Sequence, residues 1–358
     1  MFYREAGQFK TSYAADQVMF PIVQDRIGII VILALAFVAV PLVASDFTIN
    51  SILIPVLVLS LAAIGLNLLT GYTGLLSLGT GAFMGVGAYA CYKLTTVFPD
   101  VNILIWVIAS GFFSAAAGTL FGLPSLRIKG FYLAVATLAA QFFLSWCFIR
   151  VPWLYNYNIS ASIEVPTHAV FGIAVTGPTA APATRYLIVL TIVTLMTFAA
   201  ANLIRGRIGR TWMAVRDMDI AAELIGIKLY QTKLLAFAVS SFYCGVAGAM
   251  MVFLWLGNAE SESFSINQSF LVLFMIIIGG LGSMLGSFLG AALIWGLPIV
   301  LRAAPDLLGL SMRAATVEHM TSIILGTLII FFLIVEPNGL ARLWLIGKQK
   351  LRVWPFPY

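Results

Sequence analysis

The residues of this chain that could do chemistry are few and scattered. Three cysteines, Cys91, Cys147 and Cys244, stand far apart in apolar stretches, and the sequence has no CxxC pair and no His/Cys cluster. This spacing predicts neither a metal site nor a disulfide framework. The two histidines, His168 and His319, are isolated, and we expect no chemistry from either of them.

Acidic residues are missing from the interiors of the apolar stretches, because every Asp and Glu lies at an end of a stretch or between two of them. Proton- and ion-coupled transporters place ionisable groups inside the membrane, and intramembrane hydrolases need a base beside the nucleophile. The sequence also lacks a GxxxxGK[ST] phosphate-binding loop. We therefore predict a protein that is not an enzyme and that binds no cofactor or metal. Active transport would draw its energy from a partner protein.

Lipid must be the solvent for most of the surface. Of the 358 residues, 61% are hydrophobic and 9% are charged, whereas a soluble domain carries about 25% charged residues. A membrane-spanning helix needs about 20 apolar residues. The charge-free stretches are 27–45, 47–92, 101–126, 130–149, 186–204, 234–259, 263–301 and 319–335.

Two of these stretches are too long for one span. The stretch 47–92 is interrupted at 70–74 (TGYTG), and 263–301 is interrupted at 279–283 (GGLGS). We exclude the charge-free run 165–184, because its prolines and glycines would break a helix. The predicted fold is therefore all-α, a polytopic membrane helix bundle of about ten transmembrane helices.

The basic residues predict the orientation of this bundle. With the loop 205–233 in the cytoplasm, both termini are cytoplasmic and 15 of the 20 Lys and Arg residues lie inside, whereas the acidic residues divide seven and seven. This asymmetry is the positive-inside rule, so the basic surplus signals topology and no nucleic-acid partner. We predict a cytoplasmic segment 1–26, a transmembrane domain 27–335 and a cytoplasmic tail 336–358.

The loop 205–233 contains a candidate docking hairpin. Residues 219–225 favour a short helix, since acidic residues suit a helix N-terminus and Gly226 suits its end. Small side chains here allow another surface to approach closely. The alternative is a solvated basic loop that only fixes topology. The residues assigned to this candidate docking hairpin are Asp219, Ala221, Ala222, Glu223 and Gly226.

The two glycine interruptions are the candidate translocation pathway. Such breaks free backbone N–H and C=O groups at membrane depth, which is tolerated where they line a cavity. The alternative is close helix packing, because small residues also recur at i+4 spacing. The candidate pathway residues, including one polar residue in mid-span, are Asn67, Thr70, Gly71, Tyr72, Thr73, Gly74, Ser77, Gln141, Gly279, Gly280, Gly282 and Ser283.

Residues 50–345 resemble the LivM-type permease subunits of branched-chain amino acid importers of the ATP-binding-cassette (ABC) class. The matching blocks are 66–79 (LNLLTGYTGLLSLG), 126–134 (LRIKGFYLA), 208–226 (IGRTWMAVRDMDIAAELIG), 233–237 (KLLAF), 278–283 (IGGLGS) and 336–340 (EPNGL). The resemblance implies a bacterial inner-membrane protein with a second related permease subunit, two cytoplasmic ATP-binding subunits that bind Mg-ATP, and a periplasmic solute-binding protein. Its coupling loop is the run from Ala221 to Gly226.

One block departs from the family. Members usually carry a glycine-rich stretch after the helix that ends near Arg150, but residues 151–160 (VPWLYNYNIS) contain no glycine. This loop faces outward, so the solute is left open between branched-chain amino acids and amides, urea or aromatic acids. The alternative from another class is a self-sufficient channel or facilitator.

Overall fold

The structure is a computed structural model that describes residues 11–12, 23–125, 132–160, 162–170, 172–177, 180–307, 314–336 and 338–353. The segment 1–26 falls largely outside these ranges, as do the basic turn with Arg127 and Lys129 and Pro337 of the last matching block. Over the described residues, nine helices are long and apolar enough to cross a membrane. They are Asp25–Val43, Asp46–Thr73, Ile103–Pro124, Tyr132–Arg150, Pro182–Arg205, Leu229–Leu256, Ser261–Gly279, Met284–Arg302 and Thr316–Val335.

The individual α-helices are numbered in chain order. They are α1 (Val23–Ala34), α2 (Val40–Val43), α3 (Asp46–Thr48), α4 (Ile54–Thr73), α5 (Thr80–Val97), α6 (Ile103–Ser125), α7 (Tyr132–Arg150), α8 (Pro182–Arg205), α9 (Arg207–Asp217), α10 (Asp219–Leu224), α11 (Leu229–Met250), α12 (Ile266–Gly279), α13 (Met284–Leu307), α14 (Ala314–Val335) and α15 (Gly339–Val353). Three π-helical segments, Leu35–Ala39, Ile49–Leu53 and Met251–Leu256, continue neighbouring α-helices.

Both long apolar stretches are pairs of helices, as the glycine interruptions predict. The second pair separates at 280–283, as expected. The first separates later than expected, because α4 continues through Thr73 and the non-helical segment is 74–79. The second helix of the first pair is α5, which has 18 residues. With α5, the nine helices above make the ten predicted spans. Helix α5 is less apolar than those nine, and most of its residues are buried against other helices.

The core forms where α11 packs against α4, α5 and α6. The most apolar window of Leu229–Leu256 is 83% buried, whereas that of Thr316–Val335 is 11% buried, so α11 is central and α14 peripheral. Glycines permit this packing, since a Cβ on Gly248 would overlap the carbonyl oxygen of Met84 and one on Gly87 would overlap that of Gly245. Close backbone approach at small residues is the usual basis of helix association in lipid.

The substitution Gly248→Ala should destabilise the bundle by about 1–3 kcal/mol, because the added methyl group meets backbone that cannot rotate away. Thermal unfolding of the purified protein in detergent would measure this. The matched control is Gly296→Ala, also inside a helix, where an added Cβ has nothing within 4 Å. Equal midpoints for the two variants would contradict the packing account.

Described loops lie at both ends of the bundle. At one end, which we call the hairpin end, the side chain of Lys348 binds Asp25 at 3.0 Å, so the start of α1 and the last helix α15 lie together. At the opposite end, the strand Ile163–Glu164 (β1) pairs with Asn258–Ala259 (β4), which joins two loops at that end. The excluded run 165–184 contains strands β2 (Ala169–Val170) and β3 (Ile173–Ala174), followed by the start of α8. The side of the membrane on which each end lies stays a prediction.

Candidate functional site

The loop 205–233 folds as a hairpin of α9 and α10. Helix α9 is amphipathic and buries Trp212 completely, which fixes the hairpin to the bundle. Gly226 has a φ of 90°, and its N–H donates to the carbonyl of Glu223 while that of Ile227 donates to Ala222. These two bonds form a Schellman motif, which requires the left-handed conformation that glycine favours. The helix stop predicted at Gly226 is therefore present.

The outer surface of the hairpin is apolar although it stands among charged residues. Its four large side chains, which we call the apolar crown, are Met218 (66% exposed), Ile220 (69%), Leu224 (83%) and Ile225 (76%). Of the residues assigned to the candidate docking hairpin, Ala221 and Glu223 are also exposed, Asp219 is partly buried and Ala222 is buried. A concentrated apolar surface of this kind, rimmed by polar residues, is typical of a protein or membrane contact. The exposed charged neighbours Asp217, Glu223 and Lys228 favour a protein contact over lipid.

Arg216 joins the hairpin to the membrane helices. Its Nη1 donates to the carbonyl oxygen of Gly71 at 2.9 Å, and its Nε and Nη2 bind Asp217 at 2.9 and 2.8 Å. A cation at this position suits the negative C-terminal end of α4. Gly74 ends that helix with a φ of 74°, and a Cβ there would lie 3.1 Å from Cγ of Arg216. The hairpin is thus coupled directly to the last turn of α4.

The two predicted glycine breaks lie against each other at this end. The Oδ1 of Asn67 accepts from the N–H of Gly282 at 2.8 Å, and its Nδ2 donates to Ser283 O at 2.9 Å and to Ser287 Oγ at 3.0 Å. Asn67 is 1% exposed, and a Cβ on Gly71 would overlap both Asn67 Oδ1 and Gly282 N. We call this contact of α4 with the α12–α13 turn the glycine junction.

The remaining pathway candidates around the junction bind or pack locally. Thr70 Oγ1 donates to Leu75 O at 3.1 Å, Thr73 Oγ1 donates to Leu68 O at 3.0 Å, and Ser77 Oγ accepts from Gly79 N at 3.4 Å. Three of these side chains are buried, namely Tyr72, Thr73 and Ser77. Gly279 and Gly280 approach backbone so closely that added Cβ atoms would collide with Gly286 O and Asn338 O. The structure brings these residues together, and their contact with a solute stays a prediction.

Gln141 belongs to α7, away from the glycine junction, and its side chain contacts the N-terminus of α5. Its Oε1 accepts from the N–H of Ala82 at 2.7 Å and from Ser269 Oγ at 2.9 Å. Its Nε2 donates to Phe264 O at 2.7 Å and to Ser145 Oγ at 3.3 Å. Gln141 is the tenth of the 19 residues of α7, so α5 begins near the middle of a span, where water does not satisfy free N–H groups.

Ser269 completes this cap, and the sequence did not single it out. Its Oγ accepts from the N–H of Gly81 at 2.8 Å, so two side chains from two other helices satisfy the first N–H groups of α5. Arg216 was likewise missed as a linking residue. The one sequence signal for Ser269 was a polar residue close to the start of an apolar stretch, which is common in membrane helices and unspecific.

Comparison with known proteins identifies relatives across most of the chain. The family described as "Branched-chain amino acid transport system / permease component" matches residues 48–333. The high-affinity branched-chain amino acid transport system permease protein LivM of Escherichia coli K12 is 29% identical over 89% of this chain and 75% of its own length. The LivM protein of Salmonella typhimurium is 30% identical over 77% of this chain and 66% of its own length.

No solved structure matched the chain. The matched family region includes α10, both glycine breaks and the Gln141 cap, so the features described above lie inside it. The multi-pass helical bundle agrees with a transport permease. The chain therefore belongs to the family of permease components of branched-chain amino acid transport systems.

Proposed function

We propose that this chain is the transmembrane permease subunit of an ABC importer in the bacterial cell inner (cytoplasmic) membrane. It forms half of a translocation pathway with a second related permease subunit. Two cytoplasmic ATP-binding subunits supply the energy and bind Mg-ATP, and a periplasmic solute-binding protein delivers the solute. The proposed solutes are branched-chain amino acids, in keeping with the printed names of the relatives.

The observation that carries this proposal is the apolar crown on a firmly attached hairpin. Four large apolar side chains stand 66–83% exposed beyond the membrane helices. An amphipathic helix presented in this way suits a hydrophobic groove on a partner. The hairpin is held at its base by the buried Trp212, so a movement of the partner would move the hairpin as a unit.

The base of the hairpin also supplies a route for that movement. Arg216 binds the last turn of α4 through Gly71, and α4 binds the α12–α13 turn through Asn67. A displacement of the crown would therefore act on the glycine junction through two hydrogen-bonded steps. The glycine junction would then open and close the pathway at the hairpin end, with no ionisable side chain needed in the membrane.

The test is Leu224→Asp in the assembled transporter. A buried aspartate in the groove would oppose docking, so we expect the ATP-binding subunits to co-purify at least tenfold less and ATP-driven uptake of radiolabelled leucine to fall in parallel. The matched control is Gln231→Asp, which adds the same charge at an exposed site nearby. Unchanged co-purification and uptake in Leu224→Asp would refute the docking role.

The same preparation separates the alternatives. The purified chain without ATP-binding subunits should catalyse no leucine flux into proteoliposomes; flux that needs no nucleotide would favour a self-sufficient channel or facilitator. Competition of leucine uptake by isoleucine, valine, urea, short amides and aromatic acids would identify the solute class. Competition by an amide or urea, and not by isoleucine or valine, would favour the other solutes.

A further inference from the structure

A cavity of about 580 Å³ opens at the end of the bundle opposite the hairpin. Its walls come from the beginning of the Asp46–Thr73 span, the end of the Leu229–Leu256 span and the end of the Met284–Arg302 span. The lining side chains used below are Phe47, Asn50, Ser51, Trp255, Trp295 and Arg302. Cavities of 300–1,000 Å³ that are mostly apolar with a few polar groups are typical of small-molecule sites.

Two of the three π-helical segments of the described chain meet at this cavity. Ile49–Leu53 contributes Asn50 and Ser51, and Met251–Leu256 contributes Trp255. A π-helical turn widens the helix and costs hydrogen-bond quality, and such turns occur frequently at functional sites. Their convergence here indicates a wall shaped for a ligand rather than for uniform contact with lipid.

The aromatic wall is held in place by the protein. Trp295 Nε1 donates to the carbonyl oxygen of Ser51 at 2.9 Å, and the rings of Trp255 and Trp295 pack edge to face with centroids 5.0 Å apart. A tryptophan that only anchors a helix at the membrane surface would direct its N–H to the headgroups. Here the indole N–H points into the bundle, so the ring faces of the cavity are preorganised.

Two polar side chains of the cavity are available to bind a ligand. Over the ranges that the structure describes, the side chains of Asn50 and Arg302 make no hydrogen bond, and Arg302 makes no ion pair. Among the described side chains, Arg302 is the one charged group that lines the cavity. A guanidinium group binds a carboxylate with two parallel hydrogen bonds, and aromatic faces accept both apolar groups and an ammonium group.

We propose that this cavity is a binding site for a zwitterionic amino acid with an aliphatic side chain. The carboxylate binds Arg302, the aliphatic side chain lies against Trp255 and Trp295, and Asn50 and the ring faces hold the ammonium group. The site receives the solute at the end of the bundle where the solute-binding protein would release it. This inference rests on the proposed function, since that function supplies the solute class.

The test uses the complete transporter in nanodiscs without the solute-binding protein, with L-leucine and L-leucinol as probes. Leucinol keeps the side chain and the ammonium group and lacks the carboxylate. We expect wild-type protein to bind leucine at least tenfold more tightly than leucinol. In Arg302→Gln, leucine binding should weaken at least tenfold and the leucine-to-leucinol ratio should approach one. A general structural defect would weaken both probes and leave their ratio unchanged, which would overturn the assignment.

Two controls make the result specific. Arg150→Gln removes another exposed arginine at the same end of the bundle that does not line the cavity, and it should leave the ratio at its wild-type value. Nanodiscs with and without phosphatidylglycerol should give the same leucine affinity. Leucine affinity that depends on anionic lipid through Arg302 would show a lipid headgroup site and overturn the proposal.

The same complex separates this inference from the proposed function. If ATP-driven leucine uptake is intact and Arg302→Gln binds both probes like wild type, the site assignment is wrong and the importer function stands. If the complete complex shows no ATP-driven uptake, the importer function itself fails, together with the inference that depends on it.

Discussion

Replacing Arg216 with glutamine should leave an assembled transporter that hydrolyses ATP but accumulates almost no leucine. The substitution removes the charge-assisted hydrogen bond from Nη1 to Gly71 O, 2.9 Å long, while the apolar crown stays unchanged. Such a bond contributes about 1.5–3 kcal/mol, so its loss reduces the coupling of hairpin to α4 by about tenfold or more. The measurement is the ratio of leucine accumulated to ATP hydrolysed in proteoliposomes.

Two further variants show whether the loss comes from this bond. Arg210→Gln removes an exposed arginine of the same helix, for which the described residues provide no polar partner, and it should keep the wild-type ratio. Arg216→Lys retains the charge and loses the planar guanidinium, so it should give an intermediate ratio. Accumulation that stays proportional to ATP hydrolysis in Arg216→Gln would show that the force travels by another route.

The hairpin itself could be predicted because its signals are local. The acidic start and Gly226 lie within a few residues of each other, and the short helix Asp219–Leu224 appears where the pattern places it. The glycine breaks could be predicted for the same reason, since an interruption is visible inside a charge-free stretch. The first break lies at 74–79 and not at the predicted 70–74, because the contact with Arg216 allows α4 to continue through Gly71.

The partners of these elements could not be predicted. Arg216 and Gly71 are 145 positions apart, and Asn67 and Gly282 are 215 apart. Local composition carries no information on which distant backbone groups meet. The cavity at the end opposite the hairpin was missed for a related reason, because its walls come from three spans that are far apart in the sequence.

Gln141→Leu should prevent stable folding rather than alter transport by a folded protein. Leucine keeps the volume but leaves the N–H of Ala82 and the carbonyl of Phe264 without the partners that now lie 2.7 Å from each. Each orphaned buried group costs about 1–3 kcal/mol, so the two together cost about 2–6 kcal/mol. The measurement is the thermal unfolding midpoint and the monodisperse fraction of the purified protein in detergent.

The outcome also decides between the two interpretations of this residue. A glutamine that only lined the solute pathway would tolerate leucine, and the variant would fold normally while its uptake changed. A glutamine that caps α5 at mid-depth cannot tolerate it, because the hydrocarbon of the lipid offers no replacement donor or acceptor. Gln231→Leu, the same change at an exposed position, should keep the wild-type midpoint. The hydrogen bonds of Gln141 to three other segments favour the cap, since a pathway residue must release its partners to bind a passing solute.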